Sequence, residues 1–319
     1  MKYRTLGRTG LSVSEVGFGA WAIGGASYGP TRDEDSLEAL AVAWEHGVNF
    51  FDTADTYGEG HSEELIGKFL KAKREKAVIA TKVGWDFYHG GVKKNFEPDY
   101  IRFACDQSLK RLQTNRIDLY QLHNPKLEMI QSGEIFEVLD ELKALGKIRF
   151  YGVSIHTPAE AMAVLRQGKA DTVQLIFNLI DQRCINDVLP QARAKQVGII
   201  VREPLACGLI TGKYTPASQF PKTDHRNRWD KEKMANDLKK LERLKAVLKT
   251  TRLSLAQVSL EYVLSHDEVS TVIPGAKTQA QVLENVKASE ESRLRIEEIA
   301  VIRRLYQEEA LFQTGFFRS

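Results

Sequence analysis

Eight short apolar runs recur along this chain, most closed by a polar residue or a glycine and most followed by a segment of helical spacing. They fall at 16–19, 49–51, 77–81, 117–122, 148–153, 172–177, 197–201 and 270–273. Runs this short, apolar on both faces and separated by helices, are strands of a parallel sheet covered on each side. The helical stripes between them are equally plain. Leu37, Leu40, Ala41 and Trp44 form one, stopped by Gly47; another is Leu65, Ile66, Phe69 and Leu70, opened by an expected N-cap at Ser62. Pro98 opens the helix carrying Ile101, Ala104 and Cys105, and Thr157-Pro158 opens a later one. The fold class implied is α/β, a (β/α)8 barrel, with an open doubly wound sheet as the rival, because counting strands does not show closure. Residues 3–16, with Gly7 and Gly10, read as a β-hairpin that plugs or flanks the barrel, and extra helices follow near the C-terminus.

The rhythm breaks between Gly208 and about Trp229, where glycine, proline and polar residues replace any period. A stretch so long without regular structure is a functional lid or a disordered insertion. Neither an internal repeat nor a linker divides the chain, so 1–319 reads as one barrel domain.

Composition removes several function classes. A net charge of +3 on 319 residues, with no long basic stripe, argues against a nucleic-acid partner. The Lys/Arg run from 231 to 249 is interleaved with Asp and Glu and reads as a solvated helix face. Three cysteines, Cys105, Cys184 and Cys207, are widely spaced and suit a reducing compartment; Cys207 reads as a small filler more readily than as a redox site. The histidines at 61, 89, 156, 225 and 266 have no metal-ligand spacing. No apolar stretch is long enough for a membrane span, and the expected location is cytoplasmic.

The chemistry is concentrated at the strand ends. In a barrel these converge on one face, which would gather Asp52, Lys82, His123, Ser154, Gln174, Arg202 and Gly275. The bland alternative is that each polar residue simply ends its strand in water. Tyr57, five residues beyond Asp52 in a glycine-bounded turn, has a phenol whose ordinary pKa of about 10 is too high for ready proton transfer. An ammonium at Lys82 would lower it, Asp52 would hold that ammonium, and His123 could donate to a substrate oxygen. These four groups make a proton donor for an oxygen that gains charge. They contain no activated nucleophile, so a nicotinamide cofactor is the economical electron source.

Gly17-Phe18-Gly19-Ala20-Trp21-Ala22 matches G-x-G-x-x-A, but Gly24, Gly25, Gly29 and Pro30 follow where a dinucleotide fingerprint needs a helix, so it is rejected. Ile273-Pro274-Gly275-Ala276-Lys277-Thr278 enters a helix and suits phosphate better. Trp21 and Trp85 are candidate walls of a substrate pocket; for Trp85 a packed loop aromatic is the alternative.

With these segments in view the chain resembles the aldo-keto reductase family, in its bacterial-type members. The resemblance lies in Gly17-Phe18-Gly19-Ala20-Trp21, Phe51-Asp52-Thr53-Ala54-Asp55-Thr56-Tyr57-Gly58, Ala80-Thr81-Lys82-Val83-Gly84, Leu119-Tyr120-Gln121-Leu122-His123, Gly152-Val153-Ser154, the run from Pro204 to Tyr214, and Ile273-Pro274-Gly275-Ala276. It implies a TIM-type barrel and reversible NADPH-dependent reduction of a small aldehyde or ketone. It makes Asp52, Tyr57, Lys82 and His123 the catalytic four, with Tyr57 the general acid. It assigns Ser154 and Gln174 to the nicotinamide carboxamide, and Arg202 to the face of the ring. Gly208, Leu209, Thr211, Gly212 and Lys213 fall in the pyrophosphate loop, and Pro204 and Leu205 before it are also assigned to cofactor binding. Lys277, Thr278 and Gln281 fall in the 2′-phosphate region, with Glu284 and Asn285 at the adenine, and Gly275 and Ala276 are also assigned to cofactor binding.

This chain departs from the family's pattern at four places. Ile155 stands where many members have Asn, Arg202 where many stack a tyrosine, and Asn124 where a bulkier residue is frequent. Gln281 replaces a common arginine, which lowers the charge facing a phosphate and leaves NADH use open. Two rivals stand beside the reductase reading. A metal-free aldolase or isomerase would use Lys82 as a Schiff base, and an NADPH-binding regulatory subunit, like the β subunits of voltage-gated potassium channels, would turn over little. Substrate identity would rest with the loops after Trp21, at 85–91 and after His123, and with the C-terminal tail at Phe316, Phe317 and Arg318. Oligomeric state is not legible.

Overall fold

The computed structural model describes residues 1–25, 27–248, 251, 253–290 and 294–314; the C-terminal tail named above lies outside them. Its strands are β1 (Tyr3–Thr5), β2 (Ser12–Ser14), β3 (Phe18–Gly19), β4 (Phe50–Asp52), β5 (Val78–Val83), β6 (Trp85–Asp86), β7 (Lys93–Lys94), β8 (Ile117–His123), β9 (Ile148–Ser154), β10 (Thr172–Ile176), β11 (Gly198–Arg202) and β12 (Val269–Val272). Eight of these form one sheet in the order β12-β11-β10-β9-β8-β5-β4-β3. Its neighbouring strands are all parallel. The order has no reversal, so there is no switch point of the kind a doubly wound sheet contains.

The two ends of this sheet meet. Val16 bridges to Val272 and Gly19 to Gly275, both parallel. The Gly17 amide donates to Val272 O at 2.8 Å and the Gly19 amide to Pro274 O at 3.1 Å. A glycine is required here: a Cβ at residue 19 would stand 2.5 Å from Ile273 O.

Strand alternation sorts the side chains into two cores. Phe51, Ile79, Tyr120, Leu122, Val153, Val173, Leu175 and Ile199 face the helices and belong to the large outer cluster. Phe50, Ala80, Leu119, Ile200 and Ile273 form a separate inner cluster with Leu6, Leu11 and Val13. Those last three come from the N-terminal β1–β2 hairpin and its connecting turn, so the hairpin plugs the barrel. Two residues further along β4, β5 and β8 the same inward face carries Asp52, Lys82 and Gln121. An apolar floor thus supports a polar layer, which is what aims the chemistry at one rim.

Several local expectations change. Lys82 lies within β5, one residue before its end. The helix after Tyr57 is His61–Leu70 with Gly60 at its N-cap, and Ser62 does not cap it. Instead Ser62 Oγ is buried, donating to Ala20 O at 3.0 Å and accepting from Thr53 Oγ1 at 2.8 Å. The antiparallel β6–β7 ribbon and the short helix Leu127–Ser132 were not foreseen. The aperiodic stretch contains 3-10 turns at Ala206–Thr211 and His225–Arg228 and no α-helix or strand. It crosses to the loop after Trp21, where the His225 amide donates to Ser27 O at 3.0 Å.

Candidate active site

Lys82 is the centre of the polar layer. It is 1% exposed, and its ammonium donates to Asp52 Oδ1 at 2.5 Å, to Thr53 O at 2.8 Å and to Tyr57 Oη at 3.3 Å. Three acceptors match the three protons of an ammonium. The other oxygen of Asp52 accepts from Gln121 Nε2 at 3.0 Å and from Gln174 Nε2 at 2.7 Å. This carboxylate is therefore gripped from three strands.

Tyr57 reaches the ammonium because its turn is tightly folded. Gly58 has φ +62, and a Cβ there would overlap Gly24 O at 1.5 Å. The turn after the tyrosine is thereby pressed against the loop that follows Trp21. Trp21 stacks on the Tyr57 ring, with centroids 5.8 Å apart and planes 21° from parallel. His123 approaches Tyr57 edge-on at 6.0 Å, and Trp85 approaches His123 edge-on at 6.5 Å. Both tryptophans thus flank the phenol–imidazole pair.

The electrostatics differ from the sequence expectation in one respect. Burial pushes the Tyr57 phenol above its ordinary value; Lys82 pulls it down, but not enough to reverse the sign. The predicted lowering is therefore not what the fold produces, because desolvation of the phenolate outweighs the ammonium 3.3 Å away. Burial acts against the charge on Lys82, yet Asp52 and Tyr57 together hold it above the usual lysine value. His123 is driven well below its ordinary value by burial, then by Lys82, Lys94, Arg202 and His156. The site is a protonated phenol, a charged lysine and a neutral imidazole, an arrangement able to give a proton to an oxygen lodged between Tyr57 and His123.

Residues expected to hold a cofactor lie along the adjoining rim. Ser154 Oγ donates to Gln174 Oε1 at 3.3 Å. The Gln174 amide nitrogen is spent on Asp52 and Gln121, so only its oxygen side and Ser154 remain for a carboxamide. Arg202 ends β11 and is tethered to Glu203 Oε1 at 2.5 Å, Ile155 O at 3.0 Å and His156 Nδ1 at 2.9 Å; its buried Nε has no partner among the described residues. Ile155 contributes its carbonyl to that tether in place of a side-chain amide.

The following turn is left-handed at Ala206, Cys207, Gly208 and Gly212. Pro204 O accepts from Ser259, and Thr211 Oγ1 donates to Gly208 O at 2.6 Å. Leu205 is half-buried, Leu209 is fully buried and only backbone there could face a ligand, while Lys213 is exposed. Gly275 is exposed and Ala276 buried. Thr278 caps Gln279–Val286, and Gln281 Oε1 accepts from the Lys277 amide at 2.8 Å. Lys277 Nζ donates to Tyr28 O at 2.7 Å. Glu284 accepts from Ser254 at 2.9 Å, and Asn285 is buried. The exposed Lys213, the Thr278 hydroxyl and the N-terminus of the helix Gln279–Val286 are groups that fit a phosphate-bearing cofactor.

Two participants escaped the sequence reading. Gln121 was visible as one of two polar residues, with Asp118, inside the apolar run 117–122, which was the available signal. Lys94 gave none: it sits in an exposed Lys-Lys-Asn stretch, yet it donates to His123 O at 2.9 Å and to Asn124 O. Among the described residues no group of three or more His, Cys, Asp or Glu is placed to hold a metal, and no helix is long and apolar enough to cross a membrane.

Comparison with known proteins agrees with this architecture. The Aldo/keto reductase family model matches residues 15–307. An uncharacterized oxidoreductase, YqkF, of Bacillus subtilis is 34% identical over 95% of this chain and 95% of its own. An NADH-specific methylglyoxal reductase of Escherichia coli is 31% identical over 90% of this chain and 93% of its own. Among solved structures, the holo form of aldo-keto reductase AKR11C1 from Bacillus halodurans superposes with a TM-score of 0.81 at 34% identity, covering 96% of each chain. With its closed eight-stranded barrel and this match across nearly its whole length, the chain belongs to the aldo/keto reductase family of oxidoreductases.

Proposed function

We propose that this protein reduces a small aldehyde or ketone to an alcohol, reversibly, with Tyr57 as general acid. The observation that carries the reading is the Asp52–Lys82–Tyr57 chain of contacts, with His123 edge-on to the phenol. NADPH, when bound, supplies the hydride. The protein's part is to hold the carbonyl oxygen between Tyr57 Oη and the neutral His123 ring and to protonate it as charge develops. A phenol kept protonated at neutral pH is the right starting state for a donor. Lys82 then stabilises the phenolate left behind, at a distance where an ammonium in a dry site has strong leverage. Asp52, fixed by Gln121 and Gln174, keeps Lys82 charged and aimed.

Ser154, Gln174 and Arg202 would hold the nicotinamide end. The turn carrying Gly208, Thr211, Gly212 and Lys213 would hold the pyrophosphate, and Lys277, Thr278 and Gln281 the 2′-phosphate. The neutral Gln281, and the E. coli relative named as NADH-specific, both support testing NADH beside NADPH.

The test is a nicotinamide fluorescence titration with each cofactor, followed by turnover of a panel of aldehydes and ketones. Binding with reduction supports the reading. Tight binding with no turnover across the panel would favour a regulatory subunit instead. Borohydride trapping of a carbonyl on Lys82 without nicotinamide would favour an aldolase; the ammonium's three acceptors and its raised pKa weigh against that nucleophile.

A further inference from the structure

We propose that Lys94 is a positioning residue that clamps the turn carrying His123 and ties it to the Trp85 wall of the pocket. The backbone beyond β8 makes an unusual demand. Asn124 is left-handed at φ +56, and this turn points two successive carbonyls, His123 O and Asn124 O, at one place. Converging carbonyl dipoles repel unless a donor lies between them, and a side chain with φ above zero adds its own cost. The Lys94 ammonium fills that position, donating to both oxygens.

Its other contacts explain the choice of a cation. Lys94 pairs with Trp85 across the β6–β7 ribbon, and its Nζ lies 4.4 Å from the centre of the Trp85 ring. Its Nζ also lies 5.5 Å from the centre of the Phe96 ring, and among the described residues no carboxylate forms an ion pair with it, Glu160 acting on its charge only from farther off. This matters for His123 because Nδ1 of that ring is buried with no hydrogen-bond partner among the described residues. The imidazole is thus oriented by perpendicular ring contacts with Tyr57 and Trp85 and by its own backbone, not by a hydrogen bond to its second nitrogen. The backbone in turn is held by the Asn124 amide, which donates to Ser154 O at 2.9 Å, and by Lys94.

The catalytic consequence rests on the proposed reductase reading; the structural one does not, and the experiment separates them. Lys94→Met and Lys94→Arg are compared with the unaltered protein. Amide hydrogen exchange at Asn124 is followed in the cofactor-free protein, and kcat, KM and NADPH affinity are measured with an aldehyde that the unaltered protein reduces. Exchange at Asn124 should quicken by about 10-fold or more in Lys94→Met, kcat should fall about 10- to 100-fold, and NADPH affinity should stay within about two-fold. Arginine, which also donates to two carbonyls and stacks on indole, should recover most of both losses. Unchanged exchange in Lys94→Met overturns the clamp. Faster exchange with unchanged kcat overturns its role in catalysis. If the unaltered protein reduces no aldehyde, the reductase reading fails while the exchange result still decides the clamp.

Discussion

Replacing Asp52 with Asn tests the electrostatic centre of the site most directly. Asp52 is 2% exposed and Lys82 1%, and three donors, Lys82, Gln121 and Gln174, converge on the two carboxylate oxygens. An amide of the same shape offers one acceptor oxygen. If that oxygen faces Lys82, its NH2 meets the amide nitrogens of Gln121 and Gln174; if it faces the glutamines, its NH2 meets the ammonium. Either way a buried cation loses its counter-charge, a change worth about 3–5 kcal/mol in buried pairs.

The pH dependence identifies the cause. In the unaltered protein Lys82 is raised above its ordinary value, so its contribution to stability is complete at neutral pH and fades only as pH rises through that raised value. Without Asp52, burial dominates and Lys82 falls below its unfolded value of about 10.4. The folded variant then binds fewer protons than its unfolded chain, so its stability should rise with pH between the two values. Urea unfolding of both proteins at about pH 7 and pH 9 measures this. The stability gap should be several kcal/mol at the lower pH and clearly smaller at the higher. A gap below about 1 kcal/mol, or one that does not change with pH, would refute the picture of Lys82 as a buried charge held by Asp52.

Further outcomes follow from the same geometry. Tyr57→Phe should lower kcat by about 10²- to 10⁴-fold, read by NADPH oxidation with an aldehyde. Its NADPH affinity should stay within about two-fold and its stability within about 1 kcal/mol, since Lys82 keeps Asp52 and Thr53 O. Equal loss of binding and turnover would remove the role given to the phenol. Because His123 is lowered well below its ordinary value, only the unfolded chain takes up that proton near pH 6.5, and stability falls as pH drops below about 6.5. His123 contributes roughly 1.4 kcal/mol per pH unit until its folded value is reached, and His123→Gln should remove that share from acid unfolding curves, leaving the part due to His156 and His266, which burial also lowers. Gly19→Ala forces a Cβ to 2.5 Å from Ile273 O and should destabilise by about 1–3 kcal/mol; an unchanged urea midpoint would show that the seam gives way easily.

The order of strands and helices was legible because each buried strand is a short apolar run between helical stripes. The inward pointing of Asp52 and Lys82 also follows from alternation, counting from Phe50 and Ala80. Closure was not legible, since it depends on Gly19 approaching Ile273 O, a contact between residues far apart in sequence. Ser62 looked like a cap because serine before two acidic residues usually is one; in the fold its hydroxyl is claimed by Ala20 O, a tertiary partner no local rule sees. The direction of the Tyr57 shift failed for a related reason. Neighbouring charge can be inferred from spacing along strand ends, but the depth of burial that opposes it depends on Trp21 stacking over the ring. Lys94 was invisible because its importance comes from two carbonyls, and backbone geometry leaves no mark on the residue type that satisfies it.

The seam at Val16–Val272 and Gly19–Gly275 has a consequence for how the protein is made. A growing chain emerging from the ribosome can pair β3 with β4 early, but the second neighbour of β3 is among the last segments delivered. Until then one side of that strand offers unsatisfied amides and carbonyls, and bringing its partner home means closing a loop that spans most of the polypeptide. Completion of the barrel is therefore a late, slow event, and the nascent molecule is most open to mispairing at β3, beside the strand that leads into the Tyr57 turn.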